Sequence, residues 1–183
     1  MFNKLLAFIL LILFSLIFLI VALVILFEDG FPIFFTQKRV GINYTFFNIY
    51  KFRSMKKNTP NVATHLLTNP DQYLLKIGKF IRKTSLDELP NLINIIKGDM
   101  VFVGPRPALY NQDDLMDFRV ATGVDKLKPG ITGWAQINGR DEISIAEKVK
   151  LEQEYLSKKS FLFDLEILVK TFTNVLFRKG VSH

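Results

Sequence analysis

From Leu5 to Phe27 the chain carries no charged residue, and Ser15 is its only polar member. A straight helix of that run would reach roughly 35 Å at about 1.5 Å per residue, enough for a bilayer core. A cleaved signal peptide fits poorly, since its apolar region is about 7–15 residues long and ends at small residues. Here Val24-Ile25-Leu26-Phe27 runs straight into Glu28-Asp29-Gly30. The segment is expected to be retained as a membrane-embedded helix over residues 1–29. Lys4 precedes it, whereas Lys38, Arg39, Lys51, Arg53, Lys56 and Lys57 come after it. This excess of cations places the remainder of the chain on the cytoplasmic side. A spanning helix and a helix that enters and returns both satisfy the charges.

Beyond Gly30 no linker and no internal repeat interrupts the chain, so residues 30–183 are expected to form one domain of mixed α and β structure. Pro32–Val40 and Tyr44–Met55 are rich in aromatic and β-branched residues and predict two strands, with Gly41-Ile42-Asn43 as the turn of a short hairpin. The polar stretch from Lys56 to Gln72 predicts a loop. Leu74, Ile77 and Ile81 recur at helical spacing within Tyr73–Lys83. A second helix runs through Leu89, Leu92, Ile93 and Ile96 to Gly98, a residue suited to a helix end. After the apolar Met100–Val103 comes a stiff turn, Gly104-Pro105-Arg106-Pro107. Gln112–Thr122 predicts a helix, and Lys128–Arg140, with Pro129, Gly130, Gly133 and Gly139, a structured loop or short strand. Ser144–Leu156 and Phe161–Phe177 predict amphipathic helices. The second of them suits the membrane interface, with Phe161, Leu165, Leu168, Phe172 and Val175 on one side.

Several chemistries are excluded early. With no cysteine, disulfides and thiolate zinc sites are absent, and the two histidines, His65 and His183, sit in no supporting motif. A metal would be oxygen-ligated, Mg²⁺ first. The net charge of +7, from 24 Lys and Arg against 17 Asp and Glu, suits phosphates and anionic headgroups. Within this background Ser85-Leu86-Asp87-Glu88-Leu89-Pro90 places two adjacent carboxylates before an apolar helix. Ser85 and Glu88 fit a capping box, which would explain both without function. Pro90 disturbs that reading, because it belongs in a first helical turn and lies just beyond one capped by Ser85. Either start leaves Asp87 at a helix N-terminus, where the macrodipole favours its ionised form.

Arg82 to Pro90, with Lys97-Gly98-Asp99-Met100 and Gly104-Pro105-Arg106-Pro107, closely resembles the bacterial sugar transferase family, the monotopic phosphoglycosyl transferases. The resemblance extends upstream to Phe35-Thr36-Gln37, Arg39 and Gly41, and to Tyr50-Lys51-Phe52-Arg53-Ser54-Met55. Downstream it takes in Lys128-Pro129-Gly130-Ile131-Thr132-Gly133, Gln136-Ile137-Asn138-Gly139-Arg140 and Ser160 to Asp164. It covers nearly the whole chain, in order, and the length is similar to small members such as those that begin protein glycosylation in Campylobacter-like bacteria. The resemblance implies transfer of a phosphosugar from a UDP-sugar to polyprenol (undecaprenyl) phosphate, with UMP released through an aspartyl-phosphosugar intermediate. It implies Asp87 as nucleophile, Glu88 as Mg²⁺ ligand, and Lys51, Arg82, Arg106, Arg140 and Asp164 as substrate-binding positions. Partners would be UDP-sugar, polyprenol phosphate and membrane lipids, without nucleic acid. The place would be the cytoplasmic face of a bacterial inner membrane.

The residues themselves support that chemistry. Bringing two phosphates to an anionic carboxylate requires cations to offset repulsion. Arg106, held between two prolines, presents a guanidinium fork with little backbone freedom to lose. Bland readings stand beside each. Arg106 could pair with a surface acid, Lys51 and Arg82 could lie on solvated faces, Arg140 could form a loop salt bridge, and Asp164 could cap the last helix. The apolar helix departs from the family, because Leu16 follows Ser15 where a proline is usual, which makes a straight spanning helix possible; the segment is still expected to be re-entrant, and Ser15 bonding back to its own turn could bend it slightly. The alternative function is a catalytically inert scaffold, or an anionic-lipid-binding protein, tethered to the membrane.

Overall fold

The computed structural model describes residues 2–60, 69–139 and 143–176. Two helices, α1 (Phe2–Leu13) and α2 (Ser15–Asp29), divide the apolar run and meet at 63°. The break falls at Phe14, whose ψ of 8° departs from the roughly −42° of a regular helix. No proline is needed for this, because both arms are held by packing. Ala7 of α1 is buried against Ile49, Leu92, Ile95 and Met100. Val21 and Ile25 of α2 are buried against Phe52, Leu75 and Ile81. A straight rod could not reach both sets. No single helix among the described residues is long and apolar enough to cross a membrane, although the bent pair passes that test together.

The predicted hairpin is present, trimmed at both ends. Strands β1 (Phe34–Val40) and β2 (Phe46–Phe52) pair antiparallel, Phe34 opposite Phe52 and Val40 opposite Phe46. Asn43 and Tyr44 take left-handed backbone angles in the turn, which asparagine tolerates better than most residues. Strand alternation has a functional consequence. Arg39, Ile49 and Lys51 share one face of the hairpin, and Phe34 and Phe52 lie on the other.

Between the hairpin and the next strand lie α3 (Gly78–Lys83) and α4 (Asn91–Lys97). The helix expected from Tyr73 starts only at Gly78; Pro70–Tyr73 is instead a separate 3₁₀ turn. Gly98 ends α4 with φ of +96°, as its predicted role at a helix end requires. Asn94 is fully buried and joins α4 to the free edge of β2, accepting from Tyr50 N at 3.0 Å and donating to Asn48 O at 2.8 Å.

A second small sheet pairs β3 (Val101–Val103) in parallel with β4 (Gly130–Thr132). Gly104 and Gly130 sit where the two backbones touch; a Cβ on Gly130 would strike the main chain of Gly104, and one on Gly104 the Lys128 carbonyl. Helix α5 (Asp113–Thr122) lies between these strands. After them come α6 (Trp134–Asn138), in a stretch the sequence predicted as loop or strand, then α7 (Ile145–Lys158) and α8 (Phe161–Leu176). Val40, Val103, Met116, Val124, Tyr155 and Ile167 form the core beneath them. Phe161, Leu165 and Phe172 of α8 face outward, and the Phe161 ring meets that of Phe2 at the start of α1.

Candidate active site

Asp87 and Glu88 sit in a 3₁₀ turn, Leu86–Glu88, between α3 and α4. The capping box expected at Ser85 and Glu88 does not form. Ser85 takes a left-handed conformation (φ 57°) and its side chain caps nothing. That motif occurs instead at Ser144 and Glu147, at the start of α7. Pro90, at φ −63°, directly precedes α4, so the chain makes a tight turn first and a helix second. This resolves the conflict over where the helix starts and turns the Glu88 side chain to other work.

That work is an ion pair. Glu88 Oε1 lies 2.6 Å from Lys51 Nζ and 4.0 Å from an Arg106 nitrogen. Arg82 approaches from α3, its Nε donating to Ser54 Oγ at 2.9 Å and its charge acting on Asp87. The hairpin face, the α3–α4 turn and the Pro-Arg-Pro turn thus converge on two carboxylates. Asp87 differs from expectation. Burial, then the neighbouring Glu88 charge, push its pKa up to about 6, against the opposing pull of Lys51 and Arg82. A three-residue 3₁₀ turn supplies too little dipole to reverse that. The carboxyl is still mostly ionised at neutral pH, and its raised basicity suits a nucleophile.

Of the other predicted residues, Asp164 does not cap α8. Ser160 Oγ accepts from Phe163 N there, and Asp164 accepts from the Tyr155 hydroxyl at 2.7 Å, over the buried end of β3. Its contacts hold the α7–α8 corner. Arg140 lies outside the described residues.

Two arginines were not singled out as site residues. Arg39 lines a shallow, solvent-open cleft with Lys51, Glu88, Asn91 and Arg106. Its parity with Lys51 in the hairpin was the signal that could have found it. Arg119 of α5 is 4% exposed and paired with Glu152 of α7, 2% exposed, at 2.6 Å. The same nitrogen, Nη2, also donates to the Arg106 carbonyl at 2.9 Å, which fixes the backbone that carries the Arg106 fork. No sequence signal marks that pair, because α5 and α7 meet only in the fold.

No group of three or more metal-ligating side chains occurs among the described residues. Mg²⁺ takes one or two carboxylates and completes its shell with water and substrate phosphates.

The model of the family described as Bacterial sugar transferase matches residues 1–178. Among similar proteins is one from Bacillus subtilis named "Uncharacterized sugar transferase EpsL", 43% identical over 92% of this chain and 82% of its own length. The exopolysaccharide production protein ExoY of Rhizobium meliloti is 36% identical over 98% of the chain and 85% of its own length. The UDP-glucose:undecaprenyl-phosphate glucose-1-phosphate transferase of Escherichia coli is 39% identical; the match covers 82% of the chain and 34% of that relative.

Proposed function

Because the chain belongs to the bacterial sugar transferase family, we propose that it transfers a phosphosugar from a UDP-sugar to undecaprenyl phosphate at the cytoplasmic face of a bacterial inner membrane. An Asp87 oxygen attacks the β-phosphorus of the donor. The bond from that phosphorus to the bridging oxygen breaks, its electron pair leaves with UMP, and the phosphosugar remains esterified to Asp87. A phosphate oxygen of the polyprenol phosphate then attacks the same phosphorus, and Asp87 regains its carboxylate. Lys51, Arg82 and Arg106 offset the charge gathered there. Mg²⁺ held by Glu88 would supply further charge neutralisation on the diphosphate. The bent α1–α2 pair enters the membrane and returns, with the outward residues of α8 at the interface.

The observation that carries this reading is one ionisable carboxylate, Asp87, set beside Glu88 and among cations from three separate chain segments. Relatives named for undecaprenyl-phosphate sugar phosphotransfer add support. Brief incubation with donor labelled in its sugar is expected to leave label on the protein and release UMP. Release of UDP would mean glycosyl transfer instead and would overturn the proposal.

A further inference from the structure

Among the described residues Arg39 has no acidic partner of its own. Its terminal nitrogens donate to Pro107 O at 3.0 Å and Gln37 Oε1 at 2.6 Å, both neutral, and its Nε is buried without a partner. The nearest carboxylate influence comes from Glu88, which Lys51 already holds at 2.6 Å. Arg106, a like charge, lines the same cleft. Burial and that neighbour together push the Arg39 guanidinium down to about 10.

Among the described residues Arg39, Lys51, Arg82 and Arg106 bring four positive charges toward the two carboxylates of Asp87 and Glu88. Two guanidiniums lining one cleft, neither offset by a carboxylate of its own, repel each other unless an anion comes between them. A diphosphate supplies the missing charge, and Pro107 and Gln37 each take one N–H of a terminal nitrogen, which holds the guanidinium and leaves the second N–H of each to donate to the diphosphate.

We infer that Arg39 is a second phosphate-binding guanidinium, which with Arg106 clamps the diphosphate of the donor across the cleft. This rests on the reaction proposed above, to which it adds a substrate contact. The competing role is that of a strut, Arg39 serving only to tie β1 to the Pro107 carbonyl.

The full chain in detergent decides between them. Arg39→Gln keeps an N–H donor for Pro107 but loses the charge; Arg39→Lys keeps the charge but loses the fork. Binding of inorganic diphosphate and of UMP is measured by titration calorimetry, alongside the ligand-free melting temperature. The clamp predicts about tenfold or weaker binding in Arg39→Gln, partial recovery in Arg39→Lys, and a ligand-free melting point unchanged or raised. A strut predicts a lowered melting point with binding within twofold of the parent, which overturns the inference. So does failure of the unaltered protein to bind diphosphate. If Arg39→Gln loses diphosphate while the unaltered protein makes no UMP from any UDP-sugar, the clamp stands and the phosphoryl-transfer reading falls.

Discussion

Lys51 Nζ and Glu88 Oε1 lie 2.6 Å apart although 37 positions separate them in sequence. This contact pins the turn bearing Asp87 to strand β2, and it holds a cation beside both carboxylates. Lys51→Met is therefore expected to act on Asp87 as well as on Glu88. One of the two charges that restrain the Asp87 pKa disappears, so the acid limb of the reaction should move upward from about 6. Single-turnover release of UMP between pH 5 and 9 checks this. The expected result is a limb shifted to higher pH and a rate at neutral pH reduced by about 10²-fold.

Asp87→Asn should abolish the covalent label and yet stabilise the fold. The folded pKa is raised from 3.8 to about 6, so the folded state binds the proton more tightly than the unfolded chain does. Above pH 6 folding must hold an ionised carboxylate in a poorly hydrated turn; below 3.8 both states are protonated and that cost vanishes. The variant should thus melt higher than the parent at pH 7.5, by about 1–2 kcal/mol, with the gain fading toward pH 4. Thermal unfolding with a chelator present measures it. Equal stability at both pH values would contradict the burial argument.

The Arg119–Glu152 pair should separate stability from catalysis. Either single change, Arg119→Met or Glu152→Gln, leaves a polar or charged partner buried alone and is expected to cost about 3–5 kcal/mol. The double change Arg119→Met with Glu152→Leu should recover most of that loss. It cannot restore the bond from Arg119 to the Arg106 carbonyl. Its KM for the UDP-sugar should therefore stay raised by about tenfold. Recovery of KM along with stability would show that Arg106 needs no such support.

Much of this was legible in the sequence where the signal is local. Gly98 ends α4, the aromatic runs form the hairpin, and the apolar spacing of Ser144–Leu156 and Phe161–Phe177 forms α7 and α8. What was misread depends on distant contacts. Ser85 fits a capping pattern, but the turn it enters is shaped by Glu88 reaching for Lys51. Asp87 has the position of a helix-start carboxylate, but its surroundings half-bury it and set Glu88 beside it. Trp134–Asn138 lies among glycines and prolines that predict a loop; it forms α6 because Trp134 and Ile137 pack on the core with α7 and α8. Of the candidate site, Asp87, Glu88, Lys51, Arg82 and Arg106 were proposed from resemblance; Arg39 stood in the resemblance without a site role, which the fold suggests, and the contact of Arg119 emerges only from the fold.

The bend at Phe14 gives the last prediction, since the two arms of the apolar run touch the same domain. Ala7 is buried beside Ile95, and Ile25 beside Ile81. If α1 leaves the domain's surface and α2 returns to it, both ends of the pair lie on one side of the bilayer. The chain has no native cysteine, so single labels are unambiguous. Asn3→Cys reports the first end, and Lys159→Cys, an exposed position between α7 and α8, reports the domain. A membrane-impermeant maleimide should leave both unmodified in spheroplasts and should modify both in inverted vesicles. Modification of Asn3→Cys alone in spheroplasts would mean that the segment crosses. The packing of Ala7 could not then persist in the membrane, because α1 would have left α4. A further substitution, Ala7→Leu, tests that packing directly. It overfills a site with no exposed surface and should cost about 1–3 kcal/mol if α1 is docked in the membrane as described, and nothing if it is not.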